Sequence, residues 1–310
     1  MHKVEEWLKQ VGLPSRDAYD LPSSPLRFPD GTHYRLEVSG IERLSTLEAL
    51  VDEMQKTGTP VHRLICTVMG ATLLTMGELR EFARVAAQAH LEVIMTPGPR
   101  PQWEAGKQIA TPEGAVSGLR FRGVDGLRQL LADVDRCLEA GFRGFLVWDE
   151  GALDLLADLR AKGIIPPETV FKVSIFAGHA NPCGARLLER LGANTFNPVA
   201  DLSVPALAAI RQVTRLPMDL HVYLFESFGG HNRFWETAEL ARVAAPCYFK
   251  IEPGVSTAGL YRPWVSPDSL AFLAREKVRY GEIIRELVNR CQPDLTCSAQ
   301  GPSDLAIPKP

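Results

Sequence analysis

Four short segments carry charge where a buried strand would normally carry none: YRLEVS (34–39), VFKVSIF (170–176), DLHVYLF (219–225) and YFKIEP (248–253). Apolar and polar residues alternate in each, and a strand sends successive side chains to opposite faces. If Leu36, Val38, Val173, Ile175, Leu220, Val222, Leu224, Phe249 and Ile251 share the apolar face, the other face receives Arg35, Glu37, Ser39, Lys172, Ser174, Phe176, His221, Tyr223, Lys250 and Glu252. Asn197 joins them from NTFNP, and Asp149 and Glu150 stand at the end of RGFLVWD.

Such a wall supports three kinds of chemistry. Lys172 and Lys250 could form a Schiff base if burial or mutual repulsion lowered their basicity. Glu37, Glu150 and Glu252, with His179, His221, Glu226 and His231, supply oxygen and nitrogen ligands suited to a divalent metal, although no HxH or HExxH spacing ties them together. Carboxylates and imidazoles can also exchange protons near neutral pH. The competing reading is structural: Arg35, Glu37, Lys172, Lys250 and Glu252 could neutralise one another inside a core, where an unpaired charge is costly.

The elements that must position these residues follow from period and punctuation. Strands are predicted at 34–39, 61–68, 91–96, 143–149, 169–176, 193–198, 218–225 and 246–252. Helical patterns follow them at 45–57, 75–89, 124–140, 152–162, 182–191, 203–214, 233–244 and 267–291. Strict alternation implies parallel strands with right-handed crossovers, and eight units make a (β/α)8 barrel of the TIM type. A doubly wound sheet would show a glycine fingerprint after its first strand, and EVSGIERLS has none. The expected organisation is an N-terminal extension over 1–30 that caps the barrel's bottom, a catalytic barrel over 31–292 and a mobile tail over 293–310. The long stretch 97–123 leaves the third strand on the catalytic side and is expected to be a lid.

Composition bounds the partners. The 310-residue chain is 45% hydrophobic and 23% charged with a formal net charge of -3, which disfavours a nucleic-acid backbone as its main partner. No apolar run approaches the ~18 residues of a membrane span, so no membrane association is expected. The opening MHKVEEWLKQVGLP lacks the features of an export signal, and the six cysteines show no CxxC spacing, so a cytoplasmic location with reduced thiols is expected. A homo-oligomer is compatible with all of this.

From Leu220 the chain reads LHVYLFESFGGHNRFWETAEL, a strand that turns into a helix through two glycines. Glycine permits a tight turn or close approach of the backbone to a ligand, and Glu226 and His231 would hang over the barrel mouth. The segment KVSIFAGHANPCGARLLERLGANTFNPVADLSVPALAAIR (172–211), then YFKIEPG (248–254) and LAREKVRYGEIIREL, resemble in order the corresponding motifs of the U32 peptidase family. The resemblance covers roughly the last 140 residues and implies a barrel hydrolase. Members of that family carry a cysteine cluster after the seventh strand, on which some hold an iron–sulfur cluster. Here that place is FESFGGHNRF, which keeps an acidic residue as Glu226 and has no cysteine, so an iron–sulfur cluster is not expected.

The expectation is therefore a U32-peptidase-like enzyme acting on a small polar carboxylate, amide or peptide substrate. Glu226, His231, His221 and Lys250 are the expected catalytic residues; Arg35, Lys172, Asn197 and Tyr223 the substrate-binding ones; Glu37, Glu150 and Glu252 the ligands of any metal. One alternative is a metal-dependent or Schiff-base lyase of aldolase type. Another is a non-catalytic subunit or an accessory of RNA modification, for which Lys107, Arg120 and Arg122 form the only suggestive basic cluster.

Overall fold

Short runs rich in β-branched and aromatic residues, RLIC, EVIM, GFLV and VFKV, form strands that are buried on both faces, as parallel strands wrapped by helices must be. The computed structural model describes residues 2–68, 70–98, 111, 120–262, 264 and 266–310. Its strands are β1 (Tyr34–Ile41), β2 (Arg63–Cys66), β3 (Glu92–Met95), β4 (Gly144–Val147), β5 (Val170–Val173), β6 (Thr195–Phe196), β7 (Met218–Leu224) and β8 (Cys247–Glu252). They run in chain order around a closed parallel barrel in which β8 pairs with β1. The eight-unit reading of the sequence is borne out, and the doubly wound alternative is excluded.

The helices start where the sequence supplies caps. Thr75 and Glu78 form a capping box, Asn181 accepts from the Gly184 N–H ahead of Pro182, and Asp149 accepts from the Ala152 N–H at 3.0 Å. Outward strand residues such as Leu36, Val38, Leu64, Val93, Phe171, Phe249 and Ile251 pack with the helices in one continuous core. A smaller apolar cluster, including Ile65, Ile94, Leu146, Leu224, Phe225 and Tyr261, fills the end of the barrel at the C-terminal ends of its strands, the mouth. Among the described residues no helix is long and apolar enough to cross a membrane.

Both chain ends cover the opposite end, the floor. The Arg35 guanidinium lies 3.9 Å from the centre of the Phe28 ring and makes two hydrogen bonds to Asp304, at 2.9 and 2.7 Å. Arg35 Nε also donates to Ser298 Oγ at 2.9 Å, and the Ala306 N–H donates to Glu92 Oε1 at 2.9 Å. The segment 293–310, expected to be a mobile tail, is thus packed against the barrel. Its anchoring Asp304 is one of two acids in a polar, proline-rich stretch, and its partner lies 269 positions away, so no local pattern announces the contact. The expected lid over 97–123 falls mostly outside the described residues.

Candidate active site

The polar interior divides into tiers along the barrel axis. Arg35 belongs to the floor, where Tyr248 and Asp304 meet it. It shares the inward parity of Glu37 but stands at the start of β1, so the substrate-binding role expected for it is not supported by its position. The bidentate pair with Asp304 occupies its charge.

Above the floor is a closed electrostatic cluster. Arg63 Nε bonds Glu92 Oε2, while Arg63 Nη1 reaches Asp219 Oδ1 at 3.0 Å, Thr195 Oγ1 at 3.1 Å and Glu37 Oε2 at 3.3 Å. Lys172 Nζ is held by Asp219 Oδ2 and lies 3.1 Å from Glu37 Oε1. All of these groups are buried. Burial lowers the Lys172 ammonium, with Asp219 and Glu37 opposing the shift; burial raises the Glu37 carboxyl, but Lys172 and Arg63 outweigh it and hold Glu37 below its usual range. Lys172 and Glu37 therefore form the salt-bridged plug that the sequence left open as an alternative. Arg63, Glu92, Asp219 and Thr195 were missed, although the parity of VHRLICTV, LEVIMT and MDLHVYLF carried the signal: Arg63 lies two before Ile65, Glu92 two before Ile94, and Asp219 two before His221.

The mouth tier is different in character. His221 Nε2 lies 2.9 Å from Glu252 Oε2, and Asn197 Nδ2 lies 3.3 Å from His221 Nδ1. This pattern assigns the ring as the neutral Nε2–H tautomer, which donates to Glu252 and accepts from Asn197. Burial, then the Lys250 cation, lowers the imidazole to about 4. Burial alone would raise Glu252, but Lys250 and the His221 hydrogen bond bring it down to about 2, so it is a carboxylate at neutral pH. Lys250 Nζ is held loosely, 3.4 Å from Asn197 Oδ1 and 3.7 Å from Glu252 Oε2. Lys250, Glu252, Ser39 and Ser174 line a cavity of about 30 Å³ beneath Phe176, Phe225, Phe228 and Tyr261.

Tyr223 does not belong to this tier. A register shift between His221 and Tyr223 breaks the alternation of β7, and the Tyr223 ring packs 5.6 Å from Tyr280 and 6.4 Å from Phe234 on the helix side. Lys277 was missed for another reason: it reaches the top of β1 from a helix, donating to the Ser39 carbonyl, where burial lowers it to about 8. Strand parity cannot find a residue on a helix.

Glu226 and His231 stand on the turn that leaves β7. Gly229 and Gly230 have φ of 111° and 60°, in the region that favours glycine, and the chain doubles back so that the Leu224 N–H donates to the His231 carbonyl at 3.1 Å. The same turn is tied to the loop after β8 by Glu226 N–H to Gly254 O at 3.0 Å and Ser227 N–H to Val255 O at 2.9 Å. Glu226 is exposed and His231 half-buried, and neither lines the mouth cavity.

The expected metal ligands are not brought together. Glu37 is engaged by Lys172 and Arg63; Glu150 lies 3.0 Å from Arg120 and 2.9 Å from His179 at the rim; Glu252 is bound to His221. Among the described residues no group of three or more His, Cys, Asp or Glu side chains is placed to hold a metal ion. In the basic cluster considered for RNA, Arg120 also bonds the Trp148 carbonyl at 2.9 Å, and Lys107 lies outside the described residues.

No family model and no curated protein matches this chain. Solved structures similar to it include the U32 peptidase Mk0906, at 16% identity and a TM-score of 0.44 over 75% of this chain and 97% of that one. D-psicose 3-epimerase from Clostridium cellulolyticum H10 is similar at 11% identity and a TM-score of 0.47, over 82% of this chain and 99% of that one. A candidate fructose-1,6-biphosphate aldolase from Coccidioides immitis matches at 10% identity and a TM-score of 0.50, over 84% of this chain and 93% of that one. At such identities the likeness concerns the fold: the chain is a TIM-type barrel, an architecture that these proteins use for different chemistries.

Proposed function

We propose that this barrel is a Schiff-base enzyme of the lyase or aldolase class, in which Lys250 is the amine that captures a carbonyl substrate. The observation that carries this reading is the contrast between the two inward lysines. Lys172 is clamped between Asp219 and Glu37, whereas Lys250 has only weak acceptors and lines the cavity at the barrel's catalytic end.

In the first step the Lys250 ammonium passes a proton to Glu252, and the freed Nζ attacks the carbonyl carbon. The Lys250 charge is what chiefly holds Glu252 below the ordinary carboxylate range against burial. Attack leaves a protonated nitrogen and an alkoxide; a second nitrogen proton passes to that oxygen, giving the neutral carbinolamine, so the restraint is gone and Glu252 retains the first proton until it delivers it to the departing hydroxyl. The C–O bond breaks, water leaves, and ammonium plus carbonyl has become iminium plus water without change of oxidation state. His221 fixes the orientation of the Glu252 carboxylate, and Asn197 fixes His221. The iminium then draws electrons from a neighbouring bond, which is the basis of aldol-type cleavage or addition.

The hydrolysis implied by the U32 resemblance would use Glu226 and His231, which stand outside the cavity, and so is the weaker reading. Sodium borohydride with a panel of small aldehydes, ketones and keto acids tests the proposal. A reduced adduct mapped to Lys250 by peptide mass, absent in Lys250→Met, is the expected result. A panel that leaves Lys250 unlabelled would sink it.

A further inference from the structure

Ser39 Oγ is buried at the edge of the mouth cavity and has no hydrogen-bond partner among the described residues. A buried hydroxyl left unsatisfied is costly, so its presence calls for a ligand group or a water to complete it. Ser174 also lines the cavity, with its Oγ already accepting from the Phe176 N–H, and the remaining walls, Ile65, Leu146 and Ile175, are apolar beneath the aromatic roof. Its charged lining groups are Lys250, which the reaction consumes as an amine, and Glu252, an anion at neutral pH. Arg63 and Lys172, which could have received a carboxylate or phosphate, are sealed in the tier below by their own acidic partners.

We propose that the mouth takes a small carbonyl compound whose only polar group is the carbonyl, with an apolar body, and that the Ser39 hydroxyl, keeping its own proton, donates a hydrogen bond to the carbonyl oxygen as Lys250 attacks. This inference rests on the Lys250 reading. An acidic substituent would face the Glu252 carboxylate, and the one cation among the described residues lining the cavity is Lys250, whose nitrogen the reaction uses, whereas an aliphatic or aryl group meets rings. The cavity of about 30 Å³ holds little more than a water, so the roof must part to admit such a molecule. Phe228 is the ring placed to do so: it is 38% exposed, stacks on Phe176 at 5.4 Å, and precedes Gly229 and Gly230.

The test is competitive borohydride trapping on the full-length protein, with isobutyraldehyde and benzaldehyde as apolar probes and pyruvate and glyceraldehyde 3-phosphate as acidic ones, read as adduct at Lys250. The expected result is at least ten-fold faster labelling by the apolar probes. Ser39→Ala should slow that labelling at least ten-fold at saturating aldehyde, and Ser39→Thr should restore it. Labelling of Lys250 by the acidic probes at equal or greater rate would overturn the substrate class while leaving Lys250 as the amine. Unchanged labelling in Ser39→Ala would remove the role of Ser39. No label on Lys250 from any probe would overturn both this inference and the reading beneath it.

Discussion

His221 gives its Nε2 proton to Glu252 Oε2 at 2.9 Å, two strand ends joined by one hydrogen bond at the top of the barrel. The bond ties an imidazole held neutral to a carboxylate held ionised, so the pair can take up one proton without either group moving. Replacing Glu252 by Gln keeps the shape and removes the proton acceptor. Imine trapping at Lys250 is then expected to slow by about 10²–10⁴-fold, the usual contribution of a general acid–base group. His221→Asn should slow it less, because it disturbs only the carboxylate's orientation. Equal trapping rates in Glu252→Gln and the parent protein would rule out Glu252 as the proton carrier.

The middle cluster should behave as a unit. Lys172→Met leaves Glu37 and Asp219 sharing Arg63 with Glu92 in the buried interior, and breaking a buried ion pair from one side costs on the order of 3–5 kcal/mol. Adding Asp219→Asn should recover part of that loss, and urea unfolding of the two single variants and the double variant measures the coupling. Strict additivity would mean that the two groups do not act as a pair.

On the floor, Asp304→Ala should lower stability by roughly 3 kcal/mol through the stranded Arg35 charge, read as a fall in Tm, while trapping at Lys250 stays at the parent rate. A large change in trapping without loss of stability would instead connect the floor to the mouth.

His62 predicts a pH dependence. Its Nδ1 accepts the Leu36 N–H at 3.0 Å and its Nε2 lies 3.0 Å from the Ser298 carbonyl; burial lowers it to about 4, against an ordinary value of 6.5. Between pH 6.5 and 4 the unfolded chain therefore binds a proton that the folded chain refuses, so stability falls as pH falls through this window and levels off below it. His62→Gln should make that part of the curve shallower in unfolding titrations, with His221, lowered to about 4 as well, supplying the remaining slope. An unchanged slope in the variant would assign the acid sensitivity to other groups.

Much of this protein was legible in the residues themselves. The alternation of β-branched runs with amphipathic helices carried the barrel, because burial on both faces and a crossover helix leave that mark on every unit. Period two within the strands turned Glu37, Lys172, His221, Lys250 and Glu252 inward and Leu36, Val38, Val173, Leu220, Val222, Phe249 and Ile251 toward the helices, but it failed for Ile175 and Leu224, which join the interior cluster at the mouth once the strands end or bulge.

Depth was not legible. Arg35, Glu37 and Ser39 have the same parity on β1, yet they lie at the floor, in the sealed cluster and at the mouth cavity respectively. Parity is a property of the local backbone, whereas height along the axis depends on how tilted neighbouring strands are staggered and on which segments cover each end. A bulge after His221 reversed the parity of Tyr223, and Lys277 arrived from a helix far along the chain. The sequence by itself determined the barrel and the face on which its charges lie. Only the tertiary structure decided which of those charges neutralise one another and which, at Lys250, stays loosely held, because that choice depends on distances between strands remote in sequence.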